Sequence, residues 1–111
     1  INFKGGEEIY TTLYKYYENG QIESMEDYKD EKFNGKSIYW YKNGQILIEG
    51  NRKDSKAHGK WTFWKMNGQK DEERNYNDGY LVDKTVLNYS YFNGQLKSVK
   101  MYKDGKCISG C

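Results

Sequence analysis

A chain of 111 residues without proline, 36% hydrophobic and 31% charged, has the size of one domain and room for only a thin core; aromatics at 17%, twelve of them tyrosine, supply the burial that a disordered chain lacks. The net charge of +2 arises from Lys and Arg interleaved with Asp and Glu, with no basic block, which argues against a nucleic-acid partner. No apolar run approaches the ~20 residues of a membrane-spanning helix, and none has the form of a secretion-signal core.

The chain opens at Ile1, and Asn2-Phe3-Lys4-Gly5-Gly6 reads as the tail of a repeat unit, comparable with Met101-Tyr102-Lys103-Asp104-Gly105, so an upstream segment is expected to have been removed. A first strand is predicted over 8–18. It runs into Asn19-Gly20-Gln21, and the same three letters return at Asn43-Gly44-Gln45, Asn67-Gly68-Gln69 and Asn93-Gly94-Gln95, with spacings of 24, 24 and 26. Asn-Gly tolerates positive φ at both centres of a type I′ turn, so Gly20, Gly44, Gly68 and Gly94 are predicted as hairpin tips. A fixed period of this length marks repeats. The following strands are predicted over 21–29, then, after a connection through 30–35, over 37–42 and 45–53, 61–66 and 69–76, and 86–92 and 95–103. No stretch carries the apolar stripe of a helix. The fold class is all-β: a single-layer, meandering antiparallel sheet of tandem ~24-residue hairpin repeats, twisted or curled, with units over about 17–40, 41–64, 65–90 and 91–111 and a partial unit over 1–16.

A two-residue turn sets residues equidistant from it opposite each other. One face then carries Tyr17 opposite Ile22, Tyr41 opposite Ile46, Tyr39 opposite Ile48 and Tyr91 opposite Leu96, with Leu13, Trp61, Phe63, Leu87 and Tyr89; this is the core candidate. The third hairpin sets Lys65 against Lys70, Phe63 against Glu72 and Trp61 over Arg74, a cation–π geometry, and is where the register is expected to break. The opposite face carries Tyr14, Tyr16, Ile38, Trp40, Leu47 and Trp64 among Glu23, Glu49, Asp71, Glu73 and Lys97. With no helix to cover it, either the sheet curls until both sides pack or an aromatic patch stays open as a binding surface. Tyr14, Tyr16, Trp40, Leu47 and Trp64 are therefore the candidate partner-binding residues, since Tyr and Trp bring large contact area at low entropic cost.

The sole histidine, His58, precedes Gly59 in a turn pattern and has no nucleophile beside it. Cys107 and Cys111 stand four apart at the end of the chain, either as free thiols or as a disulfide that closes only the tail; zinc would need a second pair. Asp30, Asp54, Asp78 and Asp104 recur once per unit, with Lys beside three of them, which suits turn formation better than a calcium ladder. No phosphate-binding loop is present. The expectation is a non-catalytic chain with no catalytic residue, cofactor or metal.

His58-Gly59-Lys60-Trp61-Thr62-Phe63-Trp64 before Asn67-Gly68, and Tyr102-Lys103-Asp104-Gly105-Lys106 after Asn93-Gly94-Gln95, resemble the MORN family (membrane occupation and recognition nexus), in its bacterial variant often labelled antitoxin-like or YwqK-like. The resemblance covers nearly the whole chain. It implies a module for protein–protein interaction, with a toxin as partner in the antitoxin-like relatives. The family name implies a membrane or phospholipid surface as the alternative, which the balanced charge disfavours; a cell-surface glycan stacking on the same rings is a third reading. Bacterial relatives carry export leaders, which weights localisation toward the exterior or cell surface over the cytoplasm. Open edge strands would allow pairing into a homo-oligomer.

Overall fold

The computed structural model describes residues 3–4, 7–8 and 11–111. Of the partial unit expected over 1–16, residues 1–2, 5–6 and 9–10 lie outside the described residues. β1 (Phe3–Lys4) and β2 (Glu7–Glu8) form a short antiparallel pair. The rest is β3 (Thr11–Tyr16), β4 (Ile22–Lys29), β5 (Lys32–Trp40), β6 (Ile46–Lys53), β7 (Lys56–Trp64), β8 (Lys70–Asn77), β9 (Tyr80–Tyr89), β10 (Leu96–Lys103) and β11 (Lys106–Ser109). These nine strands form one open antiparallel sheet in strict chain order, with no helix among the described residues. The slab measures 56 × 37 × 17 Å, with β3 at one end of the strand order and β11 at the other. The strong curl allowed by the sequence does not occur, and both faces stay partly in contact with solvent.

The turns alternate between two kinds, and the assignment made from sequence is inverted. At Asn19-Gly20 the N–H of Tyr17 donates to Gln21 O (2.8 Å) and that of Gly20 to Tyr17 O (3.0 Å), closing a three-residue loop in which Gly20, at φ 88°, is the only left-handed residue. The Asn19 carboxamide accepts the Gln21 N–H at 2.9 Å, so asparagine acts through its side chain and glycine through its backbone. Asn43-Gly44 and Asn67-Gly68 repeat this geometry. The two-residue turns with positive φ at both centres lie at the other end of the strands, at Asp30-Glu31, Asp54-Ser55, Asp78-Gly79 and Asp104-Gly105. Each recurring aspartate thus tolerates a left-handed backbone. The connection expected over 30–35 shrinks to two residues, and β5 begins at Lys32.

A three-residue loop adds one residue to the turn, and a bulge on the returning strand cancels it. Ile22 pairs with Tyr16, Ile46 with Trp40 and Lys70 with Trp64, one position off the expected register. Beyond the extra residues Glu23, Leu47 and Asp71, the expected pairs Tyr39–Ile48, Phe63–Glu72 and Trp61–Arg74 are found. The third hairpin therefore keeps its register, and Lys65 is not set against Lys70. The fourth hairpin deviates instead. Its loop has four residues, with Ser90 N–H donating to Gln95 O at 2.7 Å, so Leu96 pairs with Tyr89, and Tyr91 leaves the core face to become 97% exposed.

Neighbouring hairpins are stitched at both ends. Tyr17 OH donates to Trp40 O (2.5 Å) and Tyr41 OH to Trp64 O (2.7 Å), while Asn43 Nδ2 donates to Met66 O (3.0 Å). At the aspartate end, Ser55 N–H donates to Phe33 O (2.7 Å) and Gly79 N–H to Ala57 O (2.8 Å). The apolar core is thin: Trp61 (4% exposed) and Ile38 (8%) are the buried hydrophobic side chains among the described residues, beside buried Ser24, Ser37 and Thr62. Trp61 lies flat over Gly50, where a Cβ would stand 2.1 Å from the indole, and its Nε1–H donates to Asn51 O at 3.0 Å. Gly50→Ala should therefore destabilise the fold by about 1–3 kcal/mol through overpacking, read as a lower urea midpoint together with an altered near-ultraviolet signal of Trp61.

Candidate functional site

Pairing fixes two faces. On one, Lys15, Ser24, Tyr39, Ile48, Phe63, Glu72 and Val86 lie opposite one another in turn across β3 to β9. A shallow groove of about 460 Å³ opens on this side, lined by Tyr39, Leu47, Ile48, Arg52, Ala57, Trp61, Phe63, Arg74 and Tyr76. Leu47 belongs here because the bulge turns it to the same side as Ile48. It was expected on the same face as Trp40, and the bulge turns it to the groove side instead. The trans-strand neighbour of Trp61 is Arg74, but the cation over its ring, 4.9 Å from the centroid, is Arg52; Arg74 lies over Phe63 at 4.5 Å. Lys42 covers Tyr17 and Lys84 covers Tyr102 in the same way.

The charges of the groove are satisfied internally. Arg74 Nε donates to Glu72 at 2.7 Å and Nη1 to Tyr76 OH at 3.2 Å, and the bond to Glu72 raises the guanidinium's pKa further. Arg52 Nε donates to Ser37 Oγ at 3.2 Å and stands 3.7 Å from Glu26, and its Nη2 reaches Tyr39 OH at 3.4 Å. Burial raises the Tyr39 phenol pKa against the opposing effect of Arg52.

The other face carries four of the five candidate residues. Tyr14 pairs with Met25, Tyr16 with Ile22, Trp40 with Ile46 and Trp64 with Lys70, so rings on β3, β5 and β7 form a row across the sheet. Tyr14 and Tyr16 are 53% and 63% exposed, and Trp40 and Trp64 are half-buried. Among the described residues no cation or second ring covers any of these four. Beside the row, Glu73 accepts from Lys70 (2.8 Å) and meets Lys60 (3.3 Å), and the Lys70 bond holds its carboxyl below the usual range.

Around the Asn-Gly turns, Lys42, Lys65, Lys70 and Lys97 stand against Glu18, Glu23 and Asp71. Lys42 and Lys65 are held over Tyr17 and Tyr89, and Lys70 on Glu73. His58 Nδ1 accepts the Asp78 N–H at 3.4 Å, which ties it to a turn. No group of acidic, histidine and cysteine side chains suited to a metal occurs among the described residues. Cys107 and Cys111 are joined in a disulfide.

Two features escaped the sequence. One is the Arg52–Arg74 groove, which depends on bulges. The other is the exposed Tyr91–Phe92 tip, signalled only by the longer 26-residue spacing.

A family model described as MORN repeat variant matches residues 12–30 and 33–54, which are the first two hairpins of the sheet. MORN repeats are generally associated with protein or membrane interaction. No curated protein and no solved structure matches the chain.

The depressed Glu73 pKa has a stability consequence. The contribution is present above the unfolded glutamate value of about 4.3 and is lost as pH falls through the lower folded value. Urea midpoints measured down to about pH 3 should show a steeper acid loss for the native chain than for Glu73→Gln.

Proposed function

We propose that the chain is a non-catalytic repeat module that binds a protein partner on the face carrying Tyr14, Tyr16, Trp40 and Trp64. The supporting observation is the difference between the faces. On the groove side Tyr17, Trp61, Phe63 and Tyr102 are stacked beneath arginine or lysine, whereas among the described residues no cation covers Tyr14, Tyr16, Trp40 or Trp64, and the two tyrosines are exposed. An open aromatic row with a polar margin, here Glu49, Glu73 and Lys60, is the composition of a protein-binding hot spot. In the antitoxin-like version of this reading the partner is a small toxin, held by the rings without chemistry.

A membrane surface has less in its favour. Anionic leaflets reward roughly 4–8 available basic groups, and three of the four lysines at the Asn-Gly end are held within the sheet.

The test uses the exposed tyrosines, because truncating half-buried Trp40 or Trp64 would also cost stability. Tyr14→Ser with Tyr16→Ser should change stability by no more than about 0.5 kcal/mol per site while weakening a purified partner, identified by cross-linking in the producing cells, at least about tenfold. Unchanged affinity in this variant would refute the assignment of the face.

A further inference from the structure

We propose that the Tyr91–Phe92 hairpin tip is a docking knob for a second copy of this chain, entering the groove lined by Leu47, Ile48 and the Arg74 guanidinium that covers Phe63. This contact lies on the opposite side from the aromatic row and stands independently of the partner proposed there.

The knob is unusual among the turns. The other three Asn-Gly loops have three residues and carry Glu18, Lys42 or Met66 at the tip. The fourth has an added residue and presents two aromatic rings, each 97% exposed. The rings meet edge to face, with centroids 6.0 Å apart, so they offer one preformed shape. The whole loop, Ser90 to Gln95, is uncharged.

The groove suits such a knob. Its volume of about 460 Å³ lies within the range of sites that hold a ligand of two-ring size. Its arginines are already paired, Arg52 near Glu26 and Arg74 on Glu72, so an uncharged loop can enter without stranding an ion. A knob on the β9–β10 turn, pointing into solvent, does not reach the β5–β8 groove of its own sheet, so the contact is between molecules.

Area sets the strength. Two rings of about 150–250 Å² each, with a matching area on the groove, bury roughly 600–1,000 Å² per contact, below the ~1,600 Å² of a standard interface. A reciprocal pair, each tip in the other's groove, doubles this and closes a dimer, whereas one-way docking runs head to tail. Either arrangement differs from the edge-strand pairing expected from sequence.

Sedimentation of the full chain from micromolar to millimolar concentration should show mass rising above the monomer. Tyr91→Ser with Phe92→Ser, and separately Leu47→Lys, should each weaken association at least tenfold. An equimolar mixture of the two variants should form heterodimers and nothing larger, since one knob and one groove remain intact. If Leu47→Lys does not fold, a photo-crosslinking residue at position 92 should label the β5–β8 groove of the neighbouring copy; labelling of β3 or of the Trp40–Trp64 row would overturn the proposal. A native chain that stays monomeric throughout would overturn it too. So would a monomer whose tip rings are needed only for flotation with phosphatidylcholine–phosphatidylserine vesicles, because the occupant would then be a bilayer.

Discussion

Among the described residues the nine-stranded sheet has no second layer packed on either face, and most of what distinguishes this molecule follows from that constraint. Where a sandwich would bring another sheet, the groove side brings long cationic side chains. Arg52 lies on Trp61, Arg74 on Phe63 and Lys84 on Tyr102, each covering a ring with its charged head, and the two arginine heads also stand beside Glu26 and Glu72. The composition is explained by the same need. A chain poor in aliphatic residues but rich in Tyr and Lys can build a thin, laterally bonded layer, because these side chains are amphipathic along their length. Among the described residues no such cation lies over Tyr14, Tyr16, Trp40 or Trp64 on the opposite face.

The repeat and the all-β architecture were legible because Asn-Gly-Gln recurs in phase and each copy lies between strand-forming residues. The kind of turn was not, since Asn-Gly serves either a two-residue loop, with both residues left-handed, or a three-residue loop in which only Gly is. In the three-residue loop that forms, the Asn19 side chain accepts the Gln21 amide. The Asp-Gly steps at 78–79 and 104–105 carried the same signal and do form the tighter turn, at the other end of the strands.

The candidate residues were read with mixed success for one reason. Side-chain alternation survives only while pairing is regular, and a bulge on every returning strand breaks it beside the turn. Tyr14, Tyr16, Trp40 and Trp64 share a face as expected, because the irregularities of β5 and β7, at 34–36 and 59–61, lie away from the Asn-Gly turns. Leu47 is itself the bulged residue and crosses to the groove. The fourth hairpin failed at its loop, where one added residue moved the register and turned Tyr91 from an expected core ring into part of the most exposed aromatic pair.

The tyrosine hydroxyls that reach from one hairpin to a backbone carbonyl of the next, Tyr17 to Trp40 and Tyr41 to Trp64, couple nearest neighbours only. Cohesion is therefore one-dimensional, a sum of unit and junction terms with no keystone whose loss brings down the whole. Such an architecture melts by fraying from its ends, and it can be lengthened or shortened a unit at a time without redesign of what remains.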